Sequence, residues 1–195
     1  MNQYGMNNYA SPPSGWDWLD LLVQPHIYSF NHVVMSQNGK TPVYYADYHQ
    51  LDVLRIKAIN QLQRLTAQDQ PFFLEIAPAS PHVRIGGSPT VPLSRHKFLF
   101  PGATAPRTPN FNPVDDEMHE KKGSWVGELP VMNDSVIAAV DRSFRARMQA
   151  LQGIDEIVQD VVELLEKKGL MEDTFIIYTT DNGEFVPWLW SAVEY

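Results

Sequence analysis

Phe144, Met148, Leu151, Ile154, Val158, Val161 and Leu165 recur at three- and four-residue spacing within residues 134–168. That spacing is the stripe of a helix with one buried face, formed as one piece or two. Asp155, Glu156, Gln159, Asp160 and Glu163 fall mostly opposite and read as a solvated face. Asp134 is placed to cap the start. Lys167, Lys168 and Gly169 form a stop signal: cations against the helix dipole, then a residue tolerant of left-handed φ. The stripe is core and not a cofactor box, so the rest of the chain must supply a body for it.

Residues 52–67 give a second helix, with Val53, Ile56, Ile59, Leu62 and Leu65 on one side and Asp52 as a plausible cap. Each helix leads, through a short turn, into an apolar run: FFLEIA at 72–77 and FIIYTT at 175–180. Bounded by turn signals, both runs predict buried strands. Strands alternating with helices predict an α/β fold with a parallel-dominated sheet flanked by helices. Residues 16–50 read as mostly irregular, with one short strand pair, and the Pro- and Gly-rich 83–133 as a long irregular stretch.

Composition narrows the function classes. The net charge is −8 and no basic run with interleaved aromatics occurs, which argues against nucleic acid and anionic membrane as partners. No apolar run is long enough for a membrane span, and MNQYGMNNYASPPSGW lacks the basic and apolar regions of a signal peptide. With no cysteine, disulfides, thiolate metal sites and a cysteine nucleophile are excluded. Asn133-Asp134-Ser135 is an N-glycosylation sequon, making Asn133 a candidate glycan acceptor in a secreted protein.

In a parallel α/β sheet, ligands bind at the carboxyl ends of the strands. His82 follows one predicted strand, and Asp181-Asn182-Gly183 directly follows the other. The Asp181 carboxylate and the Asn182 carbonyl are hard ligands that suit Ca²⁺ or Mg²⁺ better than zinc. Asp-Asn-Gly is equally a common turn, and a loop histidine is often only solvated. The adjacent pair Asp115-Asp116 lies in a polar run and reads as a surface loop.

Four segments in order carry a likeness: PFFLEIAPASPHV, SRHKFLFPGATAPRTPNFNP, FRARMQALQGIDEIVQDVVELLEKKGL and DTFIIYTTDNG. Together they resemble the sulfatase family, above all arylsulfatases and N-acetylglucosamine-6-sulfatases, across about residues 15–183. The resemblance implies an alkaline-phosphatase-like α/β fold and hydrolysis of aryl or sugar sulfate esters. It implies one bound Ca²⁺, a formylglycine nucleophile made from Cys or Ser in Cys/Ser-x-Pro-x-Arg, and a secreted or lysosomal location. Asp181 and Asn182 match the family's second pair of metal ligands. His82 matches the histidine that contacts the sulfate group.

Several family features have no counterpart in this sequence. The first metal pair is missing, no Cys/Ser-x-Pro-x-Arg occurs, and Lys-x-His is absent. After Gly183 the likeness stops, with no later lysine. The expected layout is therefore a disordered lead-in at 1–14, a partial catalytic domain at 15–183 and a divergent tail at 184–195. The expected calcium site is incomplete and the chain itself inactive. A non-catalytic remnant and a phosphodiesterase-like relative are the alternative readings.

Overall fold

A computed structural model describes residues 4–114 and 128–181. Three short strands, β1 (Asp20–Leu22), β2 (Val33–Gln37) and β3 (Val43–Tyr45), form an antiparallel meander. Leu21 pairs with Ser36, and Val34 with Tyr44. The turn after β2 uses Asn38 and Gly39, at φ 48° and 75°. Two successive positive φ values define the type I′ geometry that matches strand twist, and Asn-Gly adopts it at least cost. Thus the region expected to hold one strand pair holds two.

Helix α1 (Gln50–Leu65) packs on this sheet through Val53, which meets Val33 and Met35. Its other side meets helix α2 (Asp134–Lys168), where Leu51, Leu93, Ile154 and Ile157 form a buried cluster. Gly153 permits this approach, because a Cβ there would lie 2.6 Å from the δ-methyls of both Leu51 and Leu93. Helix α2 is one continuous element, closed by Gly169 at φ 69°. Its stripe drifts from the simple spacing: Ile157 is buried, while Val158 is 39% exposed.

The caps differ from expectation by small steps. His49, not Asp52, caps α1, its Nδ1 accepting from the Leu51 amide. Asn133, not Asp134, caps α2, with Oδ1 accepting from the amides of Ser135 and Val136. In both cases the residue just outside the helix carries the side-chain acceptor for the orphan N–H groups, whereas Asp52 and Asp134 already lie within the first turn.

The irregular stretch is held by polar side chains of α2. Gln149 donates to the carbonyls of Lys97 and Leu99, each at 2.8 Å. Arg145 donates to Ala103 O, and Asp141 accepts from the Ala105 amide and, through both oxygens, from Arg107. Only one short 3-10 turn, Ser94–His96, punctuates its described part between 83 and 114. Within the stretch expected as a disordered lead-in, Tyr4 is buried and its hydroxyl donates to Tyr9 O at 2.7 Å, with Ser36 Oγ 3.2 Å away.

The parallel sheet expected from the two apolar runs is not formed among the described residues; 72–77 and 175–180 join no ladder. Residues 72–77 still alternate in burial as a strand does, with Phe72, Leu74 and Ile76 half-buried and Phe73, Glu75 and Ala77 exposed. Residues 175–180 are exposed throughout, Phe175 at 97%. A parallel strand draws every ladder hydrogen bond from neighbouring strands, and the local sequence cannot supply those neighbours.

Candidate functional site

His82 lies just past the outward-inward run 72–77, on a turn where its amide donates to Ala79 O at 2.9 Å. The turn arises where Pro78 and Pro81 interrupt the strand pattern. Its Nδ1 lies 2.7 Å from Val83 O. A carbonyl oxygen only accepts, so Nδ1 carries a proton and Nε2 is the nitrogen turned to other uses. The ring stacks on Tyr28, with centroids 4.3 Å apart and planes 25° from parallel.

Asp181 ends the exposed run 175–181, and Thr180 Oγ1 lies 3.5 Å from its Oδ1. Asn182 and Gly183, the remainder of the candidate metal motif, lie outside the described residues, as do Asp115 and Asp116. Among the described residues, no group of three or more His, Asp or Glu is gathered so as to hold a metal ion. His82 and Asp181 therefore belong to no common metal cluster there, and the expected single sheet edge does not join them. Asp181 contributes one hard carboxylate, chemically suited to calcium but far from a full shell. Asn133, the sequon residue, is exposed, and its Oδ1 is committed to capping α2.

A second polar centre was not apparent in the sequence. Glu156 accepts from Arg55 Nη1 at 2.6 Å and from Arg95 Nε at 2.8 Å, with His96 Nε2 2.9 Å away. Arg55 also holds Asp160 through two hydrogen bonds. Asp160 and Glu156 thus face α1 and the 3-10 turn instead of bulk water. The Arg95 guanidinium holds the Glu156 carboxyl below its ordinary range, and Arg55 does the same for Asp160. Glu156 and Asp160 each accept from guanidinium donors, so the centre is a structural clasp joining α1, the 3-10 turn and α2.

Near it, a cavity of about 330 Å³ is lined by residues including Asp47, His49, Asp52, Arg95 and Lys97. His49 donates through Nε2 to Val91 O at 2.8 Å while Nδ1 serves as the α1 cap. Both nitrogens are used by the neutral ring. Burial, the largest influence, lowers its pKa.

The sulfatase family model matches residues 2–187. The chain belongs to the sulfatase family. It is 30% identical over 196 residues to an arylsulfatase of Volvox carteri, covering 94% of this sulfatase-family chain and 30% of that protein. It is 31% identical over 193 residues to the human N-acetylglucosamine-6-sulfatase, covering 91% of this chain and 32% of that protein. An arylsulfatase of Chlamydomonas reinhardtii is 28% identical over 197 residues, again with 94% and 30% covered. The chain thus spans about a third of the length of these sulfatases. No solved structure matches it.

Among the described residues, no helix is long and apolar enough to cross a membrane. Family membership brings an α/β fold of the alkaline-phosphatase type. What the described residues present of it is two helices and a small antiparallel sheet.

Proposed function

We propose that this chain carries one part of a sulfate-ester site and does not turn over sulfate esters by itself. Family membership, with arylsulfatase and N-acetylglucosamine-6-sulfatase relatives, supports the substrate class of aryl or sugar sulfates. The single observation that carries the reading is the state of His82. In an exposed imidazole whose Nδ1 is engaged by a 2.7 Å bond to Val83 O, Nε2 is the nitrogen left to meet an anionic group. When protonated there, it donates a charge-assisted hydrogen bond to a sulfate oxygen.

Asp181 and Asn182 are the proposed calcium ligands in this chain. A calcium ion held there would offset charge on the transferring sulfate group. Two residues leave most of a shell of about six to eight oxygens unsupplied. The nucleophile is the larger gap. With no cysteine and no Ser-x-Pro-x-Arg, the chain has no residue to become formylglycine and no route to a covalent intermediate. The chain's own contribution is then to bind and orient the ester. A secreted or lysosomal setting fits the reading, since one relative is named a putative extracellular sulfatase. In that setting Asn133 would accept an N-linked glycan through Nδ2 while Oδ1 keeps the cap.

Titration of the chain with phenyl sulfate, followed by NMR, tests the reading. Weak binding that is lost in His82→Gln is expected. Equal binding by both proteins would remove His82 from the site and with it the reading.

A further inference from the structure

Tyr28 is 54 residues from His82 in sequence (82 minus 28), yet their rings stack with centroids 4.3 Å apart. The tyrosine lies in the connection between β1 and β2, and that connection is held firmly on both sides of it. Gln50, fully buried at the start of α1, donates from Nε2 to Ile27 O at 2.8 Å, and its amide donates to Phe30 O at 2.8 Å. Ile27 and Phe30 are themselves buried. Successive turns close the backbone around it: His26 donates to Val23 O, Ser29 to His26 O and His32 to Ser29 O. The Tyr28 backbone is therefore fixed to α1, and its ring is presented from a rigid base.

The His82 ring is held less firmly, although its amide donates to Ala79 O. It is exposed, on a turn, and one hydrogen bond to Val83 O fixes only the position of Nδ1. Rotation about that contact would still swing Nε2. A second constraint on the ring plane is needed to aim it, and the stacked phenol supplies one. We propose that Tyr28 is the positioning residue for His82, setting the imidazole plane so that Nε2–H addresses the sulfate group. The proposal rests on the reading of His82 as the sulfate contact. The chemistry favours an aromatic here. To meet an anion, the ring must be the imidazolium, donating from Nε2 while Nδ1 stays on Val83 O. The electron-rich face of tyrosine attracts a cation lying over it, and offset aromatic pairs add stabilisation beyond their buried area. The phenol ring itself carries no charge that would compete with the sulfate.

The test uses the full chain with labelled histidine and sodium sulfate as the probe. In the unmodified protein, nuclear Overhauser contacts between the Tyr28 and His82 rings are expected and, with the ring neutral and sulfate absent, a single Nδ1–H tautomer. Tyr28→Leu should lose the upfield ring-current displacement of the His82 ring protons and mix the tautomers; Tyr28→Phe should keep both. Sulfate affinity, read from His82 shifts, should fall about three- to tenfold in Tyr28→Leu and stay within about twofold in Tyr28→Phe. Absence of the inter-ring contacts in the unmodified chain overturns the proposal without any variant. So does a Tyr28→Leu protein that keeps the His82 tautomer and shifts. If the stack and tautomer effects appear but sulfate moves no His82 signal, the sulfate reading fails and the control of the ring by Tyr28 stands.

Discussion

Arg95 donates from Nε to Glu156 at 2.8 Å and from Nη2 to Asp52 at 2.8 Å, so one guanidinium ties the first turn of α1 to the middle of α2. Arg55, from the next turn of α1, reaches the same glutamate. Glu156 is the shared acceptor, and its side chain is only 22% exposed. Replacing it with Gln removes the charge but keeps the shape, leaving two guanidinium groups with a weaker partner. Glu156→Gln should lower stability by about 1–2 kcal/mol, read from the urea midpoint with an unchanged slope. Arg95→Ala should cost less, because that side chain is 43% exposed and screened by water. Equal midpoints for Glu156→Gln and the unmodified chain would show that the clasp contributes nothing.

Stability should fall in two steps as pH drops. The folded pKa of His49 lies below 6.5, chiefly through burial. In the window between that lowered value and 6.5 the unfolded chain binds the extra proton, so stability rises with pH and is complete above 6.5. Protonation at Nδ1 would also remove the acceptor that caps α1. The second step belongs to Glu156, Asp160 and Asp141, held low by Arg95, Arg55 and Arg107 respectively. Their contribution is present above the ordinary values of 4.5 and 3.8 and is lost as pH falls through the lower folded values. Thermal melts across pH should resolve both, and His49→Asn, which preserves a cap, should erase only the upper step. An upper step that survives His49→Asn would assign it elsewhere.

How much of this was legible in the sequence depended on how local each cause is. Helix α2 was readable because stripe, start and stop all act within a few residues. The choice of Asn133 over Asp134 as cap was a one-residue matter of side-chain reach. The strand readings of 72–77 and 175–180 rest on apolar runs bounded by turn signals, and ladder partners are never written in the strand itself. Glu156 and Asp160 read in the sequence as a solvated face because nothing local announces Arg55 and Arg95 across a helix interface. His82 and Asp181 stand out by their place after predicted strands and, more strongly, by family likeness, whereas Tyr28 carries no signal at all, since its only distinction is what it touches.

The apolar runs bear on solution behaviour. Phe175 is 97% exposed, Ile177 84%, Tyr178 72% and Phe73 76%. Strand-forming segments with open apolar groups and no ladder invite pairing with other chains. Light scattering should give a molar mass that rises with concentration, and Phe175→Lys with Ile177→Lys should suppress the rise. A concentration-independent monomer would contradict this.

Calcium should bind weakly. Asp181 with Asn182 offers too few oxygens, and no acidic cluster among the described residues completes the set. Calorimetry should find no tight stoichiometric site. A submicromolar, one-to-one isotherm abolished by Asp181→Ala would instead establish a built site.

Turnover is the most direct measure of the central claim, that a sulfatase-family chain lacking the nucleophile motif contributes to a sulfate-ester site without catalysing hydrolysis. The purified chain should be assayed on a chromogenic aryl sulfate with calcium, beside Asp181→Ala. Losing a nucleophile typically costs many orders of magnitude in rate. The two proteins should release product at the same background rate. Release by the unmodified chain above the Asp181→Ala control would contradict the account.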